Sequence, residues 1–311
     1  MKLTQEQVQA VTFGAQEVVW LDGAYHFYRF TQRQRDVLYL HDPSEQNFDT
    51  TGIRLDLHTD ATQAQITIDR AGKYEVLVND LTVFCERLEQ GQSFCISLEG
   101  ADNRVTIVLP CHRHGSVKEV ILEDATYLRP REHKCKLAFY GDSITQGWDS
   151  EKDSQSYAWL TTRFLDADSI NFGVGGTTFI PELPEDYGFQ PDAVFVALGT
   201  NDYGKDKTMA QIQADCAAYL EAIQRCYPNS KWFCITPIWR WNGTRLKEAG
   251  VLQDVRQQID RIAREHDFTV IDGLSMVPQR LEYFADKGTH PNDLGFFVYA
   301  SNLVKAITPY L

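Results

Sequence analysis

Five polar or glycine-bearing clusters punctuate the second half of this 311-residue chain: Gly141-Asp142-Ser143, Gly173-Val174-Gly175-Gly176-Thr177-Thr178, Gly199-Thr200-Asn201-Asp202, Thr236-Pro237-Ile238-Trp239-Arg240-Trp241 and His290-Pro291-Asn292-Asp293. A serine hydroxyl becomes a nucleophile only with a base beside it. Ser143 and His290 are residues that could form such a pair. His290 precedes a helix start, whose partial positive charge disfavours imidazolium and keeps the ring ready to accept a proton. Acyl transfer also needs donors aimed at the developing oxyanion. The Ser143 backbone N–H, the Gly176 N–H and the Asn201 side-chain amide are candidates. Each residue also has an ordinary reading: turn former for Gly-Asp-Ser, helix capping for His290, a tight turn for Asn201. The glycines do not make a P-loop, because no Lys-Ser/Thr follows them and they do not open the first βα unit.

These clusters are separated by elements that would carry them to one place. Apolar strand-like runs (Leu137 to Tyr140, Ser169 to Phe172, Ala193 to Leu198, Trp232 to Ile235, Thr269 to Ile271) alternate with helical patterns. The helices are expected over Ser156 to Asp166, Met209 to Cys226, Leu246 to His266 and Asn292 to Ile307, the first starting some ten residues after Gly-Asp-Ser. Such βαβ alternation implies a parallel sheet covered on both faces. In that architecture the loops at the strands' carboxyl ends meet on one rim, where ligands bind.

The first part of the chain reads differently. Between about Val18 and Thr126 no helical period of useful length is evident. Short β-branched or alternating runs occur instead, at Gly52 to Leu57, Ala64 to Ile68, Tyr74 to Val78, Arg104 to Leu109 and Val117 to Leu122. Their spacing suggests an all-β sandwich, jelly-roll-like. The charged, proline-containing stretch Arg129 to Lys134 sets the boundary, giving an accessory domain over 1–132 and a catalytic domain over 133–311. His112 and His114 beside Cys111 alternate as metal ligands on a strand would, but sit between Pro110 and Gly115 and read better as exposed histidines at a strand end. The aromatic cluster Tyr25, His26, Phe27, Tyr28 and Phe30 reads as core, with a sugar-facing role as the alternative.

Composition narrows the function classes. Forty-three acidic against 30 basic residues, a net charge of −13, argue against nucleic-acid or anionic-membrane surfaces. No apolar run approaches the length of a membrane span, and the N-terminus lacks the apolar core of a signal peptide. Seven cysteines without a Cys-x-x-Cys pair read as reduced, mostly buried thiols, with the cytoplasm as the default location. The oligomeric state is not legible.

Gly141-Asp142-Ser143-Ile144-Thr145, Asn171-Phe172-Gly173-Val174-Gly175-Gly176, Gly199-Thr200-Asn201-Asp202 and His290-Pro291-Asn292-Asp293-Leu294-Gly295 resemble the four blocks of the SGNH (GDSL) hydrolases, in the family's order. The resemblance covers roughly residues 135–311. It implies a flavodoxin-like three-layer α/β/α fold and a serine esterase needing no metal or organic cofactor. Ser143 would be the nucleophile, His290 the base, and Ser143, Gly176 and Asn201 the oxyanion hole. A β-rich domain ahead of this fold resembles certain carbohydrate esterases, implying a small-molecule substrate with an acetyl or other short acyl ester on a sugar or glycoside-like group. The family's aspartate usually stands three residues before the histidine; here Lys287 holds that position and Asp286 stands four before. Either a one-residue loop adjustment brings Asp286 to the imidazole, or a backbone carbonyl or water orients the ring. Trp239 and Trp241 are expected to line an acyl or sugar pocket or to pack under a loop. Two alternatives use the same residues: a carbohydrate-binding protein with an inactive hydrolase domain, and an acyltransferase.

Overall fold

The computed structural model describes residues 1–41 and 49–310. The described residues divide into two compact units, the first built from residues 1–35, 49–133 and 152–154, the second from 36–41, 134–151 and 155–310.

The first unit contains two antiparallel sheets. One runs β1 (Thr12–Phe13), β4 (Arg54–Thr59), β9 (Asn103–Val108), β6 (Gly72–Val78), β7 (Leu81–Leu88), with β11 (Leu128–Pro130) also on β4. The other runs β2 (Glu17–Leu21), β3 (Ala24–Tyr28), β10 (Ser116–Glu123), β5 (Gln63–Ile68), β8 (Ser93–Ser97). Alternation explains the arrangement: Leu55 and Leu57, Ile66 and Ile68, Val105 and Ile107, Val120 and Leu122 each send side chains to one face, and all enter a single core. Phe27 and Tyr25 join that core, as the packing reading of the aromatic cluster expects. The expectation of no helix of useful length between about Val18 and Thr126 is overturned by α2 (Gln32–His41). This helix has few apolar residues, so periodicity is silent. Its signal is the reciprocal Thr31/Gln34 capping box, with Gln34 N–H donating to Thr31 Oγ1 and Thr31 N–H to Gln34 Oε1. A shorter helix, α1 (Gln5–Val11), starts on a similar Thr4/Gln7 box.

The second unit is a five-stranded parallel sheet, ordered β13 (Ala167–Gly173), β12 (Cys135–Gly141), β14 (Ala193–Ala197), β15 (Lys231–Ile235), β16 (Thr269–Ile271). In sequence rank this is 2-1-3-4-5, so the chain reverses direction across the sheet between β12 and β14. That is the switch point where such sheets bind ligands. Successive strand residues face opposite layers. Phe139, Phe195 and Phe233, aligned in register, stack at 5.0 and 5.1 Å on the face carrying α4 (Tyr157–Phe164) and α8 (Asp293–Ile307). Tyr140 points the other way, stacking on Phe172 and meeting Tyr219 of α6 (Met209–Cys226). Its hydroxyl is satisfied at 2.7 Å by Tyr227.

The elements fall close to where the sequence puts them, with one addition and one correction. A short helix, α3 (Ser143–Gln146), begins at Ser143 itself, ahead of the expected one, which is α4. The helix expected from Leu246 is α7 (Leu252–Glu265): Gly250 at φ +92° and the Lys247–Gly250 backbone pair hold the preceding residues in a turn. The cysteines are all free, but only Cys216 and Cys234 are buried; Cys95 is exposed and the other four lie between.

Candidate active site

Strand register sets the site. Gly141 pairs with both Gly173 and Ala197, so β12, β13 and β14 end side by side and release their loops together. Asp142 caps α3 by accepting from the Ile144 N–H at 2.9 Å, which leaves Ser143 as the first helical residue. First-turn N–H groups have no partner within a helix. Helix α3 lies so close over the sheet end that a Cβ on Gly173 would come within 2.4 Å of the Gln146 nitrogen. Asn171 ties the two loops, donating to the Thr145 carbonyl and accepting from the Gly173 N–H, both at 2.8 Å. Gln146 Oε1 accepts from Gly175 N–H at 2.7 Å and from the Trp148 indole at 2.8 Å.

The structure brings Ser143, His290 and Asp286 into one chain of contacts. Ser143 Oγ lies 2.8 Å from His290 Nε2, and His290 Nδ1 lies 2.8 Å from Asp286 Oδ2. The four-residue spacing is absorbed by a tight turn: Lys287 and Gly288 take φ of +38° and +88°, left-handed conformations of the kind found at both centres of a primed turn. The Thr289 N–H donates to the Asp286 carbonyl, and the Thr289 and His290 N–H groups donate to Asp286 Oδ1. Asp286 is therefore fixed by its own turn before it meets the imidazole.

Gly176 has φ +74°, and its N–H, like that of Ser143, finds no acceptor among the described residues. Asn201, in α5 (Thr200–Gly204), donates one amide hydrogen to the Thr177 carbonyl at 3.0 Å and keeps the other. Asp202 holds α5 against the glycine loop by accepting from Phe179 N–H and Lys207 Nζ. Trp239 is half-buried against Phe284, while Trp241 is exposed, its N–H donating to the Gly288 carbonyl in the acid's turn.

Two neighbours carry no sequence signal. Asp149 Oδ2 lies 3.2 Å from His290 Nδ1, so two carboxylates share that nitrogen. It sits in an irregular loop at φ +68°, tied to α8 by Glu151 N–H donating to Asp293. Arg240 is half-buried beside α5. Burial pushes the Asp142 carboxyl up to about 6, opposed by the Ile144 N–H and His290. Burial lowers the Arg240 guanidinium, opposed by Tyr203, Asp142 and Asp286.

Asp149, Asp286 and His290 offer one ligand atom each within 4.8 Å of one another, a spacing a cation could bridge. The hydrogen bond to Asp286 already occupies Nδ1. In the first unit, His114 Nε2 lies 3.1 Å from His26 and His112 Nε2 lies 3.3 Å from Cys111 Sγ, so the two imidazoles face different partners. Both are half-buried, not exposed as the strand-end reading expects.

Three solved structures illustrate what the chain is similar to. A salicylyl-acyltransferase, SsfX3, from a tetracycline biosynthetic pathway superposes with a TM-score of 0.85 at 19% identity, over 96% of this chain and 94% of that one. A putative GDSL-like lipase from Bacteroides ovatus gives 0.71 at 16%, over 97% and 96%. A family two carbohydrate esterase from Clostridium thermocellum, solved with cellohexaose, gives 0.69 at 16%, over 84% and 93%. Identities this low speak for the fold. No curated sequence matches the chain, and no helix among the described residues is long and apolar enough to cross a membrane. The model of the GDSL-like lipase/acylhydrolase family matches residues 139–296, just over half of the chain, and the chain belongs to that family.

Proposed function

We propose that the chain is a serine esterase that hydrolyses short acyl esters, acetyl in the simplest case, of a carbohydrate or glycoside-like small molecule. The observation that carries this reading is the relay from Ser143 Oγ through His290 to Asp286, 2.8 Å at each step. Neutral His290 takes the hydroxyl proton at Nε2 as Oγ attacks the ester carbonyl. Asp286 holds the Nδ1–H tautomer and offsets the imidazolium that forms, with Asp149 adding a second negative charge at the same nitrogen. The oxyanion forms against the N–H groups of Ser143 and Gly176 and the spare amide hydrogen of Asn201. His290 returns its proton to the leaving alcohol, then activates the water that releases the acid. The carbohydrate part of this reading is supported by the likeness to the carbohydrate esterase.

Acyl transfer to an alcohol acceptor other than water is the second reading, favoured by the TM-score of 0.85 with an acyltransferase. Turnover of p-nitrophenyl acetate, absent in Ser143→Ala, tests the shared chemistry; equal turnover by the variant refutes both readings. Product analysis with added sugar or polyol separates them, since a transferase yields the new ester at the expense of free acid. Seven free cysteines suit a reducing compartment, and the cytoplasm is the location we propose. Recovery of the native protein from a secreted fraction would contradict it.

A further inference from the structure

Four cations surround α5, and they divide into two kinds. Lys207 Nζ is neutralised by Asp202 and Asp215 at 3.0 and 2.8 Å, and Lys247 Nζ by Asp206 at 2.9 Å. Arg240 and Lys205 have no carboxylate within ion-pairing distance among the described residues, Asp142 and Asp286 acting on Arg240 only from farther off. In a chain with 43 acidic against 30 basic side chains, partners for a cation are plentiful. The two that lack one lie against the candidate site. A Cβ at Gly176 would stand 3.9 Å from Lys205 Nζ, and Lys205 N–H donates to the Asn201 carbonyl. Arg240 Nη1 donates to the Thr200 carbonyl at 3.3 Å and would stand 3.6 Å from a Cβ at Gly204. Its Nε is buried with no acceptor. A half-buried guanidinium with one weak protein acceptor retains most of its donor fork, the geometry that suits carboxylate or phosphate oxygens.

We propose that Arg240 and Lys205 form a subsite for an anionic group, carboxylate or phosphate, on the ester substrate. This rests on the esterase reading and names the substrate class within it. The pair offsets locally the repulsion that a net charge of −13 imposes on an anionic substrate. Arg240 carries the directional contact and exposed Lys205 a screened point charge, so Arg240 contributes more.

The test compares matched esters on the full chain. Mono-p-nitrophenyl succinate against p-nitrophenyl acetate places the charge on the acyl side, and acetylglycerol 3-phosphate against acetylglycerol places it on the alcohol side. The wild type should prefer the anionic member of at least one pair, and added salt should erode that preference. Arg240→Gln should lower the anionic-to-neutral ratio of kcat/KM about tenfold to a hundredfold, Arg240→Lys less, and Lys205→Gln about threefold. Lys205 is exposed, so its variant stays informative should Arg240→Gln fail to fold. Preference for the neutral member of both pairs, or a ratio unchanged in Lys205→Gln and in a folded Arg240 variant, overturns the subsite. Should no ester be turned over and Ser143 resist a fluorophosphonate, it is the esterase reading that fails. Calorimetry with monomethyl succinate then decides the subsite alone: binding lost in Arg240→Gln supports it, and no binding overturns it.

Discussion

His58 in the first unit and His290 in the second each hold a carboxylate at Nδ1, at 3.0 Å from Asp102 and 2.8 Å from Asp286. What differs is the other nitrogen. His58 Nε2 faces Arg131 Nη1 at 3.4 Å, while Asp102 is further engaged by Tyr127 and Arg129. His290 Nε2 faces a serine hydroxyl at the switch point of a parallel sheet. A histidine–carboxylate pair is therefore no mark of catalysis in itself. The distinction lies in whether the free nitrogen meets a proton it can move or a cation that merely occupies it.

Substitutions break the comparison at several strengths. His290→Ala and Ser143→Ala should each lower esterase turnover at least about ten-thousandfold. Asp286→Asn should cost about a hundredfold to ten-thousandfold, through tautomer and orientation. Asp149→Asn should cost about tenfold or less, and the double variant should lose more than the product of the singles if the carboxylates substitute for one another, read by kcat/KM across pH.

Stability against pH extends the contrast to buried acids. Asp142 in the second unit and Asp153 in the first are both raised chiefly by burial, to about 6 and about 7. Each is harder to ionise folded than unfolded. Their contribution to stability is thus complete below the unfolded value near 3.8 and is lost as pH rises through about 6 and then about 7. Asp153→Asn keeps an oxygen for the Cys111 N–H, which now donates to Asp153 Oδ2 at 2.7 Å. The variant should be more stable than the wild type at pH 8 by on the order of 4 kcal/mol, with little difference at pH 4, in paired urea titrations. His58→Ala should cost about 1 kcal/mol of stability and leave turnover within about twofold. Chelator should change neither activity nor melting temperature.

The contrast also shows what sequence reading can place. The positions of Ser143, Gly176, Asn201 and His290 are legible because each lies beside a strand end or helix start whose hydrophobic pattern is strong, and register aligns the strand ends. Asp286 is legible only as a residue type one place off, since nothing in Lys287 announces a left-handed turn. Asp149 is invisible because its loop has no period and reaches His290 by tertiary contact alone. The absence of a close carboxylate at Arg240 and Lys205 is equally hidden, as ion pairing belongs to three dimensions. Helix α2 escapes notice because its few apolar residues leave capping as the sole signal.

Mass spectrometry of the chain after treatment with a fluorophosphonate tests the central claim most directly, because the probe reacts with a serine only when a base withdraws its proton. The account predicts one adduct, on Ser143, abolished by His290→Ala and undiminished by His58→Ala. An unlabelled Ser143 in the folded wild type, or labelling that survives loss of the His290 imidazole, would contradict it.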